Sequence, residues 1–198
     1  GQVLAWGDNN NGQCNVPTGA RDVVAISAAS YCTLALRSDG TVVAWGDDGN
    51  GQGYVPEGLT GVMAITAGNS HCLALRTDGT VTAWGNNWGG QCDVPAGLTG
   101  VVAMAVGGNH SLALRADGTV AAWGYSGNGQ CDVPVGVTGV VAICAGENHS
   151  LALRADGTVA AWGNNDYGQC NIPANLADVV AIAAGVYHSL VLKADGTV

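Results

Sequence analysis

A tryptophan returns every 39 residues, at Trp6, Trp45, Trp84, Trp123 and Trp162, with no insertion or deletion in between. A fixed period of this size marks a tandem-repeat architecture, in which each repeat is a supersecondary unit that cannot bury its apolar face alone. The chain divides into repeats 1–39, 40–78, 79–117, 118–156 and 157–195, with residues 196–198 overlapping the start of the next. The whole of 1–198 is expected to be a single domain.

Each repeat reads as four short strands. In the fourth copy "GVVAICAG" is an apolar run ended by glycine, "HSLALR" alternates and "ADG" is a turn. "TVAAWG" is a third strand, and "CDVP" a short fourth one closed by Pro134. Thirty-two glycines and the wealth of Val and Thr leave no segment that suits a helix. Strands joined in order by tight turns make a four-stranded antiparallel sheet, and five such sheets set radially make an all-β, five-bladed β-propeller. The chain begins on a third strand and ends just after a second one. Residues 178–196 and 1–17 are therefore expected to complete one mixed blade and close the ring, hiding its sheet edges. The rivals are a partial ring from a longer array, or strands exchanged between chains.

"ITAGNSHCLAL" (65–75), "ICAGENHSLAL" (143–153) and "IAAGVYHSLVL" (182–192) resemble regulator-of-chromosome-condensation repeats over the whole chain. The repeat is still more similar to that of the β-lactamase inhibitory protein II group, propellers of the same superfamily. The resemblance implies a non-enzymatic propeller that binds another protein through loops on one face, with inhibition of a β-lactamase-like enzyme as one form of that. It also inclines the location toward the secreted or cell-surface side. The familiar members have seven blades, so their binding surface does not transfer whole. The first repeat departs from the pattern, with Ala29 where glycine is usual and Cys32 where histidine is usual.

Charge narrows the partners. At a net −9, the chain would repel a phosphate backbone, which excludes nucleic acid. No stretch approaches the roughly 20 apolar residues of a membrane helix, and a membrane partner is not expected. Neither an initiator Met nor a basic segment followed by an apolar one opens the chain, as where a leader has been removed or the chain trimmed.

Residues present once per repeat are read as structural. The five column tryptophans fill space between neighbouring sheets, and His71, His110, His149 and His188 make structural hydrogen bonds. Arg37 with Asp39, and its counterparts in the later repeats, flank solvated turns. Cys14, Cys92, Cys131 and Cys170 share a column, whereas Cys32, Cys72 and Cys144 are scattered. Sheets about 10 Å apart make like-for-like disulfides poor, leaving small buried thiols or, alternatively, intermolecular or cross-column disulfides. No nucleophile–histidine–acid set has recognisable spacing. The Asp- and Asn-rich loops lack a calcium-loop pattern. Neither an enzyme, a metal site nor a cofactor is expected.

Function should lie where the repeats differ. The loops after the first and third strands emerge on one face, and they carry Trp88, Tyr125, Tyr167, Tyr31 and Tyr187. Aromatic residues among small polar ones are typical recognition anchors. The same loops and the short fourth strand hold Asp8, Asp47, Asp48, Asp93, Asp132, Glu147 and Asp166 with no base, while all six cations lie on the other side. Such a face suits a basic protein surface, although Asp and Asn are also ordinary loop formers. The chain is read as a protein-binding scaffold. The alternatives are a structural or self-assembling repeat module and the β-lactamase-type inhibitor.

Overall fold

A computed structural model describes all of residues 1–198 as fourteen β-strands with no helix. The first sheet holds β1 (Val23–Ala28), β2 (Cys32–Arg37) and β3 (Val42–Gly46); the second holds β4 (Val62–Ala67), β5 (His71–Arg76) and β6 (Val81–Gly85). The third comprises β7 (Val101–Val106), β8 (His110–Arg115) and β9 (Val120–Gly124), and the fourth β10 (Val140–Ala145), β11 (His149–Arg154) and β12 (Val159–Gly163). The last sheet has two strands, β13 (Val179–Ala184) and β14 (Ser189–Lys193). All pairing is between consecutive antiparallel strands. The inner ends of the five first strands line one shared hollow of about 310 Å³, so the sheets stand around a common axis.

The second strands of the three-stranded sheets, central in them and buried at nearly every position, supply the core. Leu34, Leu73, Leu112 and Leu151 are fully buried, and Trp45, Trp84, Trp123 and Trp162 lie against the preceding blade. Each indole N–H donates to a glutamine carbonyl of that blade at 2.9–3.0 Å, namely Gln13, Gln52, Gln91 and Gln130 in turn. A bulge at the start of every first strand, as between Val23 and Ala25, turns Val24 and its counterparts outward.

Two expectations about strands are corrected. The fourth segment, "CDVP" in two of the copies, joins no ladder. Its N–H groups are satisfied locally, Cys92 N–H by Asn87 Oδ1 and Val94 N–H by the Cys92 carbonyl, and the following proline has none to offer. The blades are therefore three-stranded, with a coiled fourth segment whose valine packs on the core. The ring is also not closed by a mixed blade. Residues 1–7 form no strand, and no ladder joins them to β14. Instead they lie along the first sheet, where Gly1 bonds the Val23 carbonyl at 3.0 Å and Val3 packs with Ala20, Ala35 and Trp45. Without a first and second strand of its own blade beside it, Trp6 is 86% exposed.

Candidate functional site

The loops after the first and third strands do share a face, because the residue after each third strand donates its N–H to the carbonyl that ends the first loop. Asp47 bonds Tyr31, Asn86 bonds Ser70, Tyr125 bonds Asn109 and Asn164 bonds Asn148. A glutamine, buried in every copy but the first, holds each third-strand loop in shape. In the second blade Gln91 Oε1 accepts from Gly89 N–H, while its amide donates to Asn86 Oδ1 at 2.8 Å. Gln13, Gln52 and Gln169 repeat this with Asp8, Asp47 and Asn164. This column recurs once per repeat, and that signal was present in the sequence without being assigned a role.

Against that scheme, Tyr125 stands out. It occupies the position of Asp8, Asp47, Asn86 and Asn164, and gives the glutamine no acceptor; the Gln130 amide keeps only its bond to Asn148 Oδ1, the counterpart of the one Gln91 makes to Asn109. A residue that abandons a local structural role marks a place to look for function. Its ring and hydroxyl lie over Gly127, where a Cβ would overlap them, and its own Cβ packs against Gly89. Trp88, 98% exposed, lines one hollow with Gly89, Asn109 and Tyr125. A second aromatic pair, Tyr167 and Tyr187, has ring centroids 5.2 Å apart at an interplanar angle of 49°. Tyr31 is half-exposed and belongs neither to the Trp88 hollow nor to the Tyr167 and Tyr187 pair.

The acids divide by their bonds. Asp47 is occupied in its own loop, accepting from Gly49 N–H and Gln52, and Asp166 accepts from Asn164. Asp48 meets the exposed Tyr54, whose hydroxyl it pushes up by hydrogen bonding. Sequence reasoning missed Tyr54. It interrupts a column of Asn15, Asp93, Asp132 and Asn171, which is the signal that would have found it. Glu147 reaches over Gly108, and its Oε2 accepts from Asn69 Nδ2 at 2.9 Å, while Asn69 in turn accepts from Ser30. Two blades apart in sequence, Asn69 and Glu147 are joined across the axial hollow.

Three of the four column histidines are internal to the fold. His71, His110 and His149 are fully buried, and each Nε2 meets a serine hydroxyl of the next blade, as His71 does Ser111 at 3.0 Å. Ser111 uses its proton on the Gln91 carbonyl, so the imidazole donates from Nε2 and leaves Nδ1 bare and unpartnered. Burial lowers His71 and His110 to about 4. His188 lies in the open last sheet and is exposed. On the opposite side, the turn acids bond the following threonine, as Asp39 does Thr41. Arg37 and Lys193 are the only cations within 4.0 Å of their turn acids, so the bond to threonine is the shared element. No group of three or more His, Cys, Asp or Glu is gathered as a metal site.

The family model described as the Regulator of chromosome condensation (RCC1) repeat matches residues 23–52, 63–91, 101–130 and 140–169. Among solved structures, Prp20p from Saccharomyces cerevisiae, described with its binding properties to Gsp1p and histones, is 25% identical with a TM-score of 0.72. The match covers 88% of this chain and 56% of that one. Human WBSCR16 (22%, TM-score 0.73, 94% and 66%) and the ectodomain of the Physcomitrella patens receptor kinase CR4 (24%, 0.72, 88% and 51%) share the fold. This chain thus spans only 56% of Prp20p. A comparison with curated protein sequences finds no match.

Proposed function

The chain belongs to the regulator of chromosome condensation repeat family, and from that premise we propose that it is a non-catalytic protein-binding scaffold whose recognition face is the aromatic and acidic loop face. The observation that carries this reading is the hollow shared by Trp88 and Tyr125. There an indole stands almost wholly in solvent, next to a tyrosine that has displaced a loop-holding side chain. Tyr167 with Tyr187, and Tyr54 with Asp48, extend the anchors around the same face. Asp48, Glu147 and Asp166 make the partner's complementary surface basic. Prp20p, a member of this fold with Gsp1p and histones as binding partners, supports the general role. The test is a pull-down from the native source with wild type and with Trp88→Ala, Tyr125→Ala and Tyr167→Ala combined. A protein that binds both equally refutes the face; one recovered by wild type alone, and released by rising salt, supports it.

A second reading, self-assembly, is favoured by one observation. The Gln169 carbonyl accepts from Ser189 Oγ but lacks the indole that Gln13, Gln52, Gln91 and Gln130 each receive, while the indole of Trp6 is free. By the register of the other blades, residues 3–7 of one copy would add to β14 of another, with Trp6 opposite Ser189. Light scattering decides it: a mass above 19.7 kDa that Trp6→Ala abolishes supports assembly, and a monomer refutes it.

A further inference from the structure

The joint between the first two blades differs from the later joints at three positions together. At those joints a buried histidine meets the serine lying 40 residues on, in the pairs His71 and Ser111, His110 and Ser150, and His149 and Ser189. One repeat earlier the same two positions are Cys32 and Cys72. The third position is Ala29, in the column of Gly68, Gly107, Gly146 and Gly185. A Cβ on Gly107, Gly146 or Gly185 would overlap the ring of His110, His149 or His188. Cys32 has no ring to fill that space, so the methyl of Ala29 is accommodated. The three departures are one coordinated change, which sets two sulfurs where the other joints hold an imidazole and a hydroxyl.

Both sulfurs are fully buried, belong to one core cluster and lie 3.9 Å from the same acceptor, the Gln52 carbonyl oxygen. Contact with Cys32 and burial push the Cys72 thiol up. The pair is cross-column, offset by one residue between blades, so the spacing that separates like columns does not apply to it. The other cysteines are engaged elsewhere or alone: Cys14, Cys92, Cys131 and Cys170 each donate to a carbonyl of their own loop, and Cys144 sits on β10.

We propose that Cys32 and Cys72 form a disulfide that joins the first and second blades, in place of the histidine–serine bond of the later joints. Oxidised glutathione suffices as oxidant. The Cys32 thiolate attacks one of its sulfurs and expels a glutathione thiolate; the Cys72 thiolate then attacks the Cys32 sulfur of the mixed disulfide and expels the second. Two protein thiols lose two electrons, one glutathione disulfide gains them, and the two protons end on the two glutathione thiols. Because neither sulfur is exposed, exchange takes place before the blades close. Nothing is stranded afterwards, since the Gln52 carbonyl keeps the Trp84 indole N–H at 3.0 Å.

Trypsin separates the pair cleanly: peptides 22–37 and 38–76 contain one cysteine each. The full chain is refolded in a glutathione buffer of secretory poise, alkylated without reduction, and mapped by mass spectrometry. The expected result is 22–37 linked to 38–76, with a Tm that falls by about 5–15 °C in reductant. Alkylation of both cysteines, a glutathione adduct on either, or linkage to any other cysteine overturns the proposal. The combined variant Ala29→Gly, Cys32→His and Cys72→Ser restores the pattern of the later joints and should show a Tm indifferent to reductant. If the wild-type drop persists in that variant, the disulfide is not its source.

Discussion

Lowering the pH from 7 to 4 should destabilise this protein through its histidines before its turn carboxylates take part. His71 and His110 each hold a neutral ring with a bare Nδ1 in a dry joint, and burial lowers both from 6.5 to about 4. The unfolded chain therefore binds protons that the folded one refuses. Stability is complete above about pH 6.5, falls through the interval, and levels off below about 4. Two and a half units at about 1.4 kcal/mol each amount to roughly 3 kcal/mol per histidine. Two histidines remove about 6 kcal/mol, a large part of the 5–15 kcal/mol that typically holds a domain together. His149, lowered mainly by burial, acts in the same direction. Near pH 5 each of the two should contribute close to one proton, for a slope of about 3 kcal/mol per pH unit. Urea titrations followed by tryptophan fluorescence at intervals from pH 7 to 4 measure that slope directly, and His110→Gln should lower it by about one proton. A flat stability between pH 6.5 and 4.5, or a slope unchanged in His110→Gln, would refute the reasoning. The turn aspartates cannot mimic the effect. Asp39, Asp78, Asp117, Asp156 and Asp195 are lowered from 3.8 chiefly by the neighbouring threonine hydroxyl, so their contribution is lost only at more acid pH.

Gly107→Ala should cost about 1–3 kcal/mol in urea unfolding, because its methyl would overlap the His110 ring and the Gly146 carbonyl, and the penalty should shrink but not vanish in a His110→Cys background. Trp84→Ala should cost about 3–5 kcal/mol and Trp6→Ala next to nothing in the monomer, since one indole is 6% exposed and the other 86%. Trp88→Ala should leave thermal stability within about 0.5 kcal/mol yet weaken partner binding about 30-fold, as read by calorimetry once a partner is in hand. Equal losses of stability at Trp88 and Trp84 would contradict the division between anchor and core.

Most of the fold was legible because its rules are local. A 39-residue period, alternation in "HSLALR", and Asp-Gly turns specify three strands and their order whatever surrounds them. The exposed aromatics stood out for the converse reason, since Tyr125 breaks a column that is otherwise Asp or Asn and Trp88 lies in a column that varies from repeat to repeat. The fourth strand was misread because "CDVP" has strand composition, while its N–H groups are captured by loop side chains such as Asn87 Oδ1. Tyr54 was overlooked because it lies on that segment and not in a loop.

The repeat by itself determined the number of sheets and their antiparallel order, because both follow from pairing within a blade and from a fixed period; it did not distinguish Trp6, which shares the column of Trp45, Trp84, Trp123 and Trp162 yet is 86% exposed. Only the tertiary structure decided what meets across the joints: that Cys32 faces Cys72 as His71 faces Ser111, that Asn69 reaches Glu147 over the axis, and that β14 keeps an open edge. Those contacts depend on the angle at which one sheet stacks on the next, a property of twist and side-chain packing that no single repeat encodes.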